Sequence, residues 1–162
     1  MAASLNTVPA MPSAPLRAAI VGGSADDIEA AFYEALQKSD LDQIMACWAE
    51  EEDIVCLHPG SPRLLGPAAI RSAFEALLAH GTLTIRATQV QRVQALGSAV
   101  HSVLEQVEVM MRDGMRVATV YATHVFHKTP QGWRLVARHV SPVQAGEEEG
   151  QPVAARPERV LH

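Results

Sequence analysis

His58, His101, Glu105, His124 and Arg138 are the side chains of this sequence suited to moving a proton or holding an anion. Histidine exchanges a proton near neutral pH, and a carboxylate beside it favours the imidazolium. Arginine keeps its charge and can hold a carboxylate or an enolate through two parallel hydrogen bonds. Brought together, such groups suit proton abstraction next to a carbonyl. Each also has a structural reading. Glu105 and Arg138 can pair with each other, since ion-pair networks place charge in the same kind of position. His58 can serve a turn, and His101 can be a packed histidine.

The elements that must position these groups follow from the pattern around them. Asp53 to Phe74, DIVCLHPGSPRLLGPAAIRSAF, reads as a short strand (Ile54 to Leu57), a turn from His58 to Pro62, an extended piece (Arg63 to Leu65) and a helix opened by Gly66-Pro67. His58 therefore sits where strand becomes loop, a place where side chains are free of core packing and commonly carry function. Before it, Ser24 caps a predicted helix over Asp26 to Lys38, with Ile28, Ala31, Phe32, Ala35 and Leu36 at helical spacing. Ser39-Asp40 leads into a short helix with Leu41, Ile44, Met45 and Trp48 on one side.

After Gly81 the period changes from helical to alternating. Four extended segments, Thr82 to Gln94, Ala99 to Met110, Met115 to Lys128 and Trp133 to Pro142, are separated by turn chemistry at Leu96-Gly97-Ser98, Arg112-Asp113-Gly114 and Thr129-Pro130-Gln131-Gly132. Helices followed by a strand meander predict an α+β fold, a curved antiparallel sheet wrapped on N-terminal helices, with a ligand cavity between the layers. Alternation sorts the faces. His124 goes with Ala118, Val120, Ala122 and Phe126. Arg138 goes with Val136 and Val140, and His101 and Glu105 go with Val103, Val107 and Val109. His127 and His139 fall on the opposite sets.

With 162 residues the chain is expected to form one domain, residues 24–145, between flexible tails at 1–23 and 146–162 rich in proline, glycine and small or acidic residues. A net charge of −5 argues against a phosphate-backbone partner, so no nucleic acid is expected. There is no membrane span and no secretory pattern, which points to the cytoplasm. Cys47 and Cys56 read as reduced packing residues. Seven histidines are present, but none are paired at zinc-type spacing, so no metal is expected.

From the acidic helix end into DIVCLHPGSPRLLGPAAIRSAF, and again in THVFHKTPQGWRLVARHVSP, the chain resembles the nuclear-transport-factor-2-like superfamily over Asp26 to about Val143. That superfamily includes ketosteroid isomerases, scytalone dehydratase, SnoaL-like polyketide cyclases and the association domain of calcium/calmodulin-dependent kinase II. The resemblance implies a cone-shaped roll whose concave sheet face lines a pocket and whose convex face makes a homodimer. His58-Pro59 falls where the isomerases resemble Asp-Pro, the aspartate being their base. Phe32 falls where they place an oxyanion-hole tyrosine, and His124 where they place a protonated aspartic acid. With these groups changed, steroid isomerisation is not expected. His124 also lies where the association domain resembles a carboxylate-binding arginine.

If His124 faces the pocket, as that position implies, His58, His101, Glu105, His124 and Arg138 converge on it. One reading is a cofactor-independent isomerase, dehydratase or cyclase acting on a small hydrophobic carbonyl or carboxylic compound. His58 is then the base, His124 the acid or oxyanion donor and Arg138 the anion clamp. Tyr33 and Trp48 are candidates for the pocket mouth, and Arg63 for an anionic ligand. The other reading is a non-catalytic dimer module, with Leu135, Ala137 and His139 exposed beside Val117, Thr119 and Tyr121.

Overall fold

A computed structural model describes residues 23–144. The stretches read as tails fall outside the described residues, but for Gly23. The described elements run α1 (Ala25–Gln37), α2 (Leu41–Ala46), β1 (Val55–Leu57), β2 (Leu64–Leu65), α3 (Gly66–Ala79), β3 (Thr82–Gln94), β4 (Ser98–Met111), β5 (Gly114–Thr129) and β6 (Gly132–Pro142). The fold is α+β, and the limits of the four long strands lie within one residue of those read from the turn chemistry. No helix among the described residues is long and apolar enough to cross a membrane.

Local chemistry sets the helix starts. Ser24 accepts the Asp27 amide, and Asp27 in return accepts the Ser24 backbone N–H at 2.6 Å, closing a reciprocal capping box. Asp40 caps α2 by accepting the Gln43 amide at 3.1 Å. Pro67 occupies the first turn of α3, where its missing N–H costs nothing.

The strands form one sheet in the order β2-β1-β6-β5-β4-β3, antiparallel except for the parallel β1–β6 pair. Its concave face meets the apolar side of α1, and Ile28, Phe32, Leu36, Ile44, Ile70 and Phe74 are buried between the layers. Register aligns one row of side chains across four strands. His101 on β4 lies opposite His124 on β5, His124 opposite Arg138 on β6, and Arg138 opposite Cys56 on β1.

One feature of β6 departs from strict alternation. Val125 pairs Ala137 while Phe126 pairs Leu135, so Val136 is an extra residue in the strand. This bulge turns Leu135 inward. Leu135 is 1% exposed, a core residue, rather than part of an outer face with Ala137 and His139.

Gly81 joins α3 to β3 so tightly that a Cβ there would lie 2.2 Å from the Met110 carbonyl oxygen. Gly81→Ala is expected to cost about 1–3 kcal/mol, as overpacking against backbone does. Gly97→Ala, with nothing within 4 Å of the added carbon, provides the control and should leave the urea midpoint nearly unchanged.

Candidate functional site

The row of side chains on the concave face is tied together by charge. Arg138 donates to Glu105 through both ends of its guanidinium, Nη1 to Oε1 at 2.8 Å and Nη2 to Oε2 at 2.9 Å. Tyr33 on α1 donates its hydroxyl to Glu105 Oε1 at 2.6 Å. A second donor on Arg138 Nη1 goes to Nε2 of His124. Arginine has only donors, so that nitrogen is an acceptor and the His124 proton resides on Nδ1. From there it is donated to Glu29 Oε2 at 2.8 Å, and the same oxygen lies 2.9 Å from His101 Nδ1.

Helix α1 supplies the other half of this arrangement. Glu29, Phe32, Tyr33 and Leu36 recur at helical spacing on the side that covers the row. Phe32 lies against the guanidinium, with the Arg138 Cζ 5.3 Å from its ring centroid. Glu29, His101, Glu105, His124 and Arg138 are all buried.

The directions of the pKa shifts follow from burial and pairing. Burial opposes ionisation of Glu105, but Arg138 outweighs it and holds the carboxyl below its usual range. Burial likewise opposes a charge on Glu29, and the two imidazoles overcome it, so this carboxyl too is held low. Burial, helped by Arg138, lowers the pKa of His124 in spite of Glu29, in keeping with its neutral Nδ1–H form. Arg138 is raised, because Glu105 outweighs desolvation. Burial first, then the charge of Glu105, raises the pKa of Tyr33, which stays a donor.

Above Arg138 an apolar cavity of about 190 Å³ opens between α1, α3 and the sheet. Leu36, Phe74, Leu83, Ile85, Val107 and Val120 are among its walls, and its two polar lining residues are Arg138 and His58. With Glu105 and His124 satisfied, Arg138 keeps its Nε–H, which is buried without a partner, and one further Nη2–H. These two donors form one edge of the guanidinium fork. Burial, with Arg138 nearby, pushes His58 down to about 4. Its Nε2 lies 3.5 Å from the Cys56 thiol, which burial pushes up to about 11. The contact is thus between a neutral imidazole and a neutral thiol, not an ion pair that would activate the sulfur.

Other expected site residues lie elsewhere. His124 has both ring nitrogens committed to Glu29 and Arg138 and is not among the cavity lining, so it has no free donor for a ligand. Tyr33 donates to Glu105 and is not among the residues lining the cavity. Trp48 packs in the core beside β6, where it bridges to Leu135. It borders a separate open groove with Met45, Glu50 and Arg134. Arg63 is exposed and borders none of these cavities. The ion pair between Glu105 and Arg138, which the sequence left open as a structural role, is present and at the same time shapes the site.

Glu29 is the residue that sequence reasoning missed. It lies four positions after Ala25, three before Phe32 and four before Tyr33, inside the buried side of an amphipathic helix. A carboxylate on that stripe was the available signal, because it demands a buried partner. Asp26, Glu29 and His101 also bring ligand-type atoms within 4.8 Å of one another. Asp26 Oδ1 accepts from Arg92 at 2.7 Å, and Glu29 Oε2 is the atom that meets both imidazoles.

A family model described as a SnoaL-like domain matches residues 26–145. Among curated proteins none matches the chain. Among solved structures, a protein of Streptomyces avermitilis provisionally assigned as a dehydratase of the nuclear-transport-factor-2-like family is 26% identical, with a TM-score of 0.66 over 73% of this chain and 93% of that one. A Thiobacillus denitrificans protein, provisionally assigned as a calcium/calmodulin-dependent protein kinase II association domain, is 27% identical, with a TM-score of 0.64 over 76% and 98%. A nuclear-transport-factor-2-like superfamily protein of Salmonella enterica serovar Typhimurium shares the fold at 19% identity, with a TM-score of 0.68 over 77% and 93%.

Removing one partner of the buried pair should be far worse than removing both. Glu105→Leu is expected to cost about 3–5 kcal/mol in urea unfolding, and adding Arg138→Met should recover much of that loss. Acid should also destabilise the protein. His58 and His124 have folded pKa values below those of unfolded histidine, so their contribution is complete above about 6.5 and falls away with acid, that of His58 as pH approaches 4. The lowered carboxyls Glu29 and Glu105 add to the loss below the usual carboxylate range. The unfolding midpoint should drop steadily from pH 7 to 4, and His58→Gln should flatten part of that drop.

Proposed function

Because this chain belongs to the SnoaL-like domain family, we propose that it binds a small hydrophobic carbonyl or carboxylic compound in the cavity above Arg138 and converts it by proton transfer. The observation that carries this reading is the buried, unpartnered Nε–H of an arginine lining an otherwise apolar cavity that also contains a neutral imidazole. A ligand oxygen on the free edge of Arg138 satisfies donors that are otherwise costly to bury. The hydrophobic part of the ligand fills the space between α1, α3 and the sheet.

His58 is then the base. It takes a proton from the carbon next to the carbonyl; the C–H bond breaks, an N–H bond forms on the imidazole, and the electron pair moves to the oxygen held by Arg138. Return of the proton to another carbon gives an isomerase; if the enolate pair instead forms the C=C bond as a β C–O bond breaks, the hydroxyl leaves as water with the proton from His58, which gives a dehydratase. Neither needs a cofactor. His124 acts through Arg138, by holding its guanidinium. The Streptomyces relative's provisional assignment as a dehydratase lends the same reading support.

A second reading has its own support in the outer face of the sheet. Met110, Met115 and Val117 are 55%, 56% and 55% exposed and adjoin across β4 and β5. Such a patch suits an isologous homodimer through the convex face, and the Thiobacillus relative is provisionally an association domain. Light scattering of Val117→Arg beside the unaltered chain tests it; a monomer in both cases counts against it.

Proton abstraction can be followed without knowing the natural substrate, as deuterium uptake at the methyl group of acetophenone in D₂O, read by NMR. The protein should accelerate uptake. His58→Ala should slow it by about 10²–10⁴-fold, the usual worth of a general base. Arg138→Met should slow it by about 10²–10³-fold, as loss of an oxyanion donor does. Uptake that is equally fast in His58→Ala would remove His58 as the base.

A further inference from the structure

The charges around Arg138 discriminate between the two ligand classes that the proposed function leaves open. Two buried carboxylates are linked to one guanidinium, Glu105 directly and Glu29 through His124. His124 adds no charge, because its Nε2 must accept from Arg138. Even with a proton on both nitrogens of His101, the positive charges would only equal the negative ones. The other charged neighbours change nothing, since Asp26 on α1 and Arg92 on β3 neutralise each other at 2.7 Å. Tyr33 from α1, Cys56 from β1 and His58 from the turn after it stand as neutral groups.

An incoming carboxylate would therefore find an arginine whose charge is already matched by Glu105, with Glu29 behind His124. Burying an unmatched anion among Leu, Val, Ile and Phe side chains is expensive. A neutral carbonyl oxygen needs only the two free N–H donors. The size of the cavity agrees. About 190 Å³ exceeds the roughly 150 Å³ that suffices for benzene in an apolar protein cavity, leaving room for one ring and a short substituent.

Resting on the function proposed above, we infer that the site selects neutral carbonyl compounds of about one ring in size, and that an anionic acid enters only together with a proton. A neutral substrate also suits the chemistry. When His58 gains a proton and the substrate oxygen gains the electron pair, the total charge of the site does not change.

The test compares acetophenone with benzoate, which share a ring and differ in charge, by NMR titration of the full chain. Methyl and ring signals of Val107, Val120, Val140 and Phe74 report occupancy of the cavity. At pH 8 acetophenone should bind at least about tenfold more tightly, and its affinity should stay level from pH 6 to 8. Benzoate should weaken by up to about tenfold per pH unit over that range, the slope of one coupled proton. Glu29→Gln removes one negative charge and keeps an acceptor for the imidazoles; it should narrow the preference for acetophenone over benzoate at pH 8.

Benzoate binding more tightly than acetophenone at pH 8, with no pH dependence, would overturn the selectivity and leave the proposed function standing. If neither compound perturbs these signals at millimolar concentration, both fall.

Discussion

A guanidinium removed from water has to be matched by negative charge and by hydrogen-bond acceptors, and most of this fold's polar interior follows from meeting that demand at Arg138. Glu105 supplies the charge through a two-point contact. His124 Nε2 accepts a further hydrogen bond from Arg138, which leaves its own Nδ1–H in need of an acceptor, and Glu29 on α1 provides it. Glu29 then also accepts from His101, and Tyr33 completes Glu105. Each link satisfies one buried group and presents the next, so the chain of contacts crosses from β6 through β5 and β4 to the helix. Helix α1 is therefore docked by polar registry as well as by Ile28, Phe32 and Leu36.

The same demand is met incompletely on one side. Nε–H of Arg138 has no partner, and the cavity that Arg138 lines is otherwise walled almost entirely by apolar side chains. A fully satisfied arginine would be a structural device alone. One that keeps two uncommitted donors while its side chain lines a cavity has the donors needed to orient an oxygen. Burial keeps His58 neutral at the same cavity, and a neutral imidazole can accept a proton there. The ion pair with Glu105 thus anchors Arg138 in the fold and still leaves the proposed ligand-holding role open to it.

Much of this was legible in the sequence, for identifiable reasons. The strands were readable because Gly97, Gly114 and Gly132 mark their turns and the alternation between them is long. Alternation also placed His101, Glu105, His124 and Arg138 on faces that the sheet order brings side by side. Glu29 escaped notice because a charged residue on a surface helix is ordinarily solvated, and its partners are 72 and 95 residues away. The inward turn of Leu135 depends on one extra residue at Val136, for which the local sequence carries no glycine or proline signal. Trp48 and Arg63 carry no local signal of which way they face. The tertiary path instead packs the first against β6 and leaves the second in solvent.

The Arg138 Nε–H resonance in the free and the acetophenone-saturated protein is the measurement that reports most directly on the half-satisfied arginine. The expected result is a slowly exchanging signal in the free protein that shifts on saturation, while the Nη protons held by Glu105 stay in place. A signal that exchanges freely with solvent and does not move when the cavity is filled would contradict the assignment of Arg138 as the group that holds the ligand.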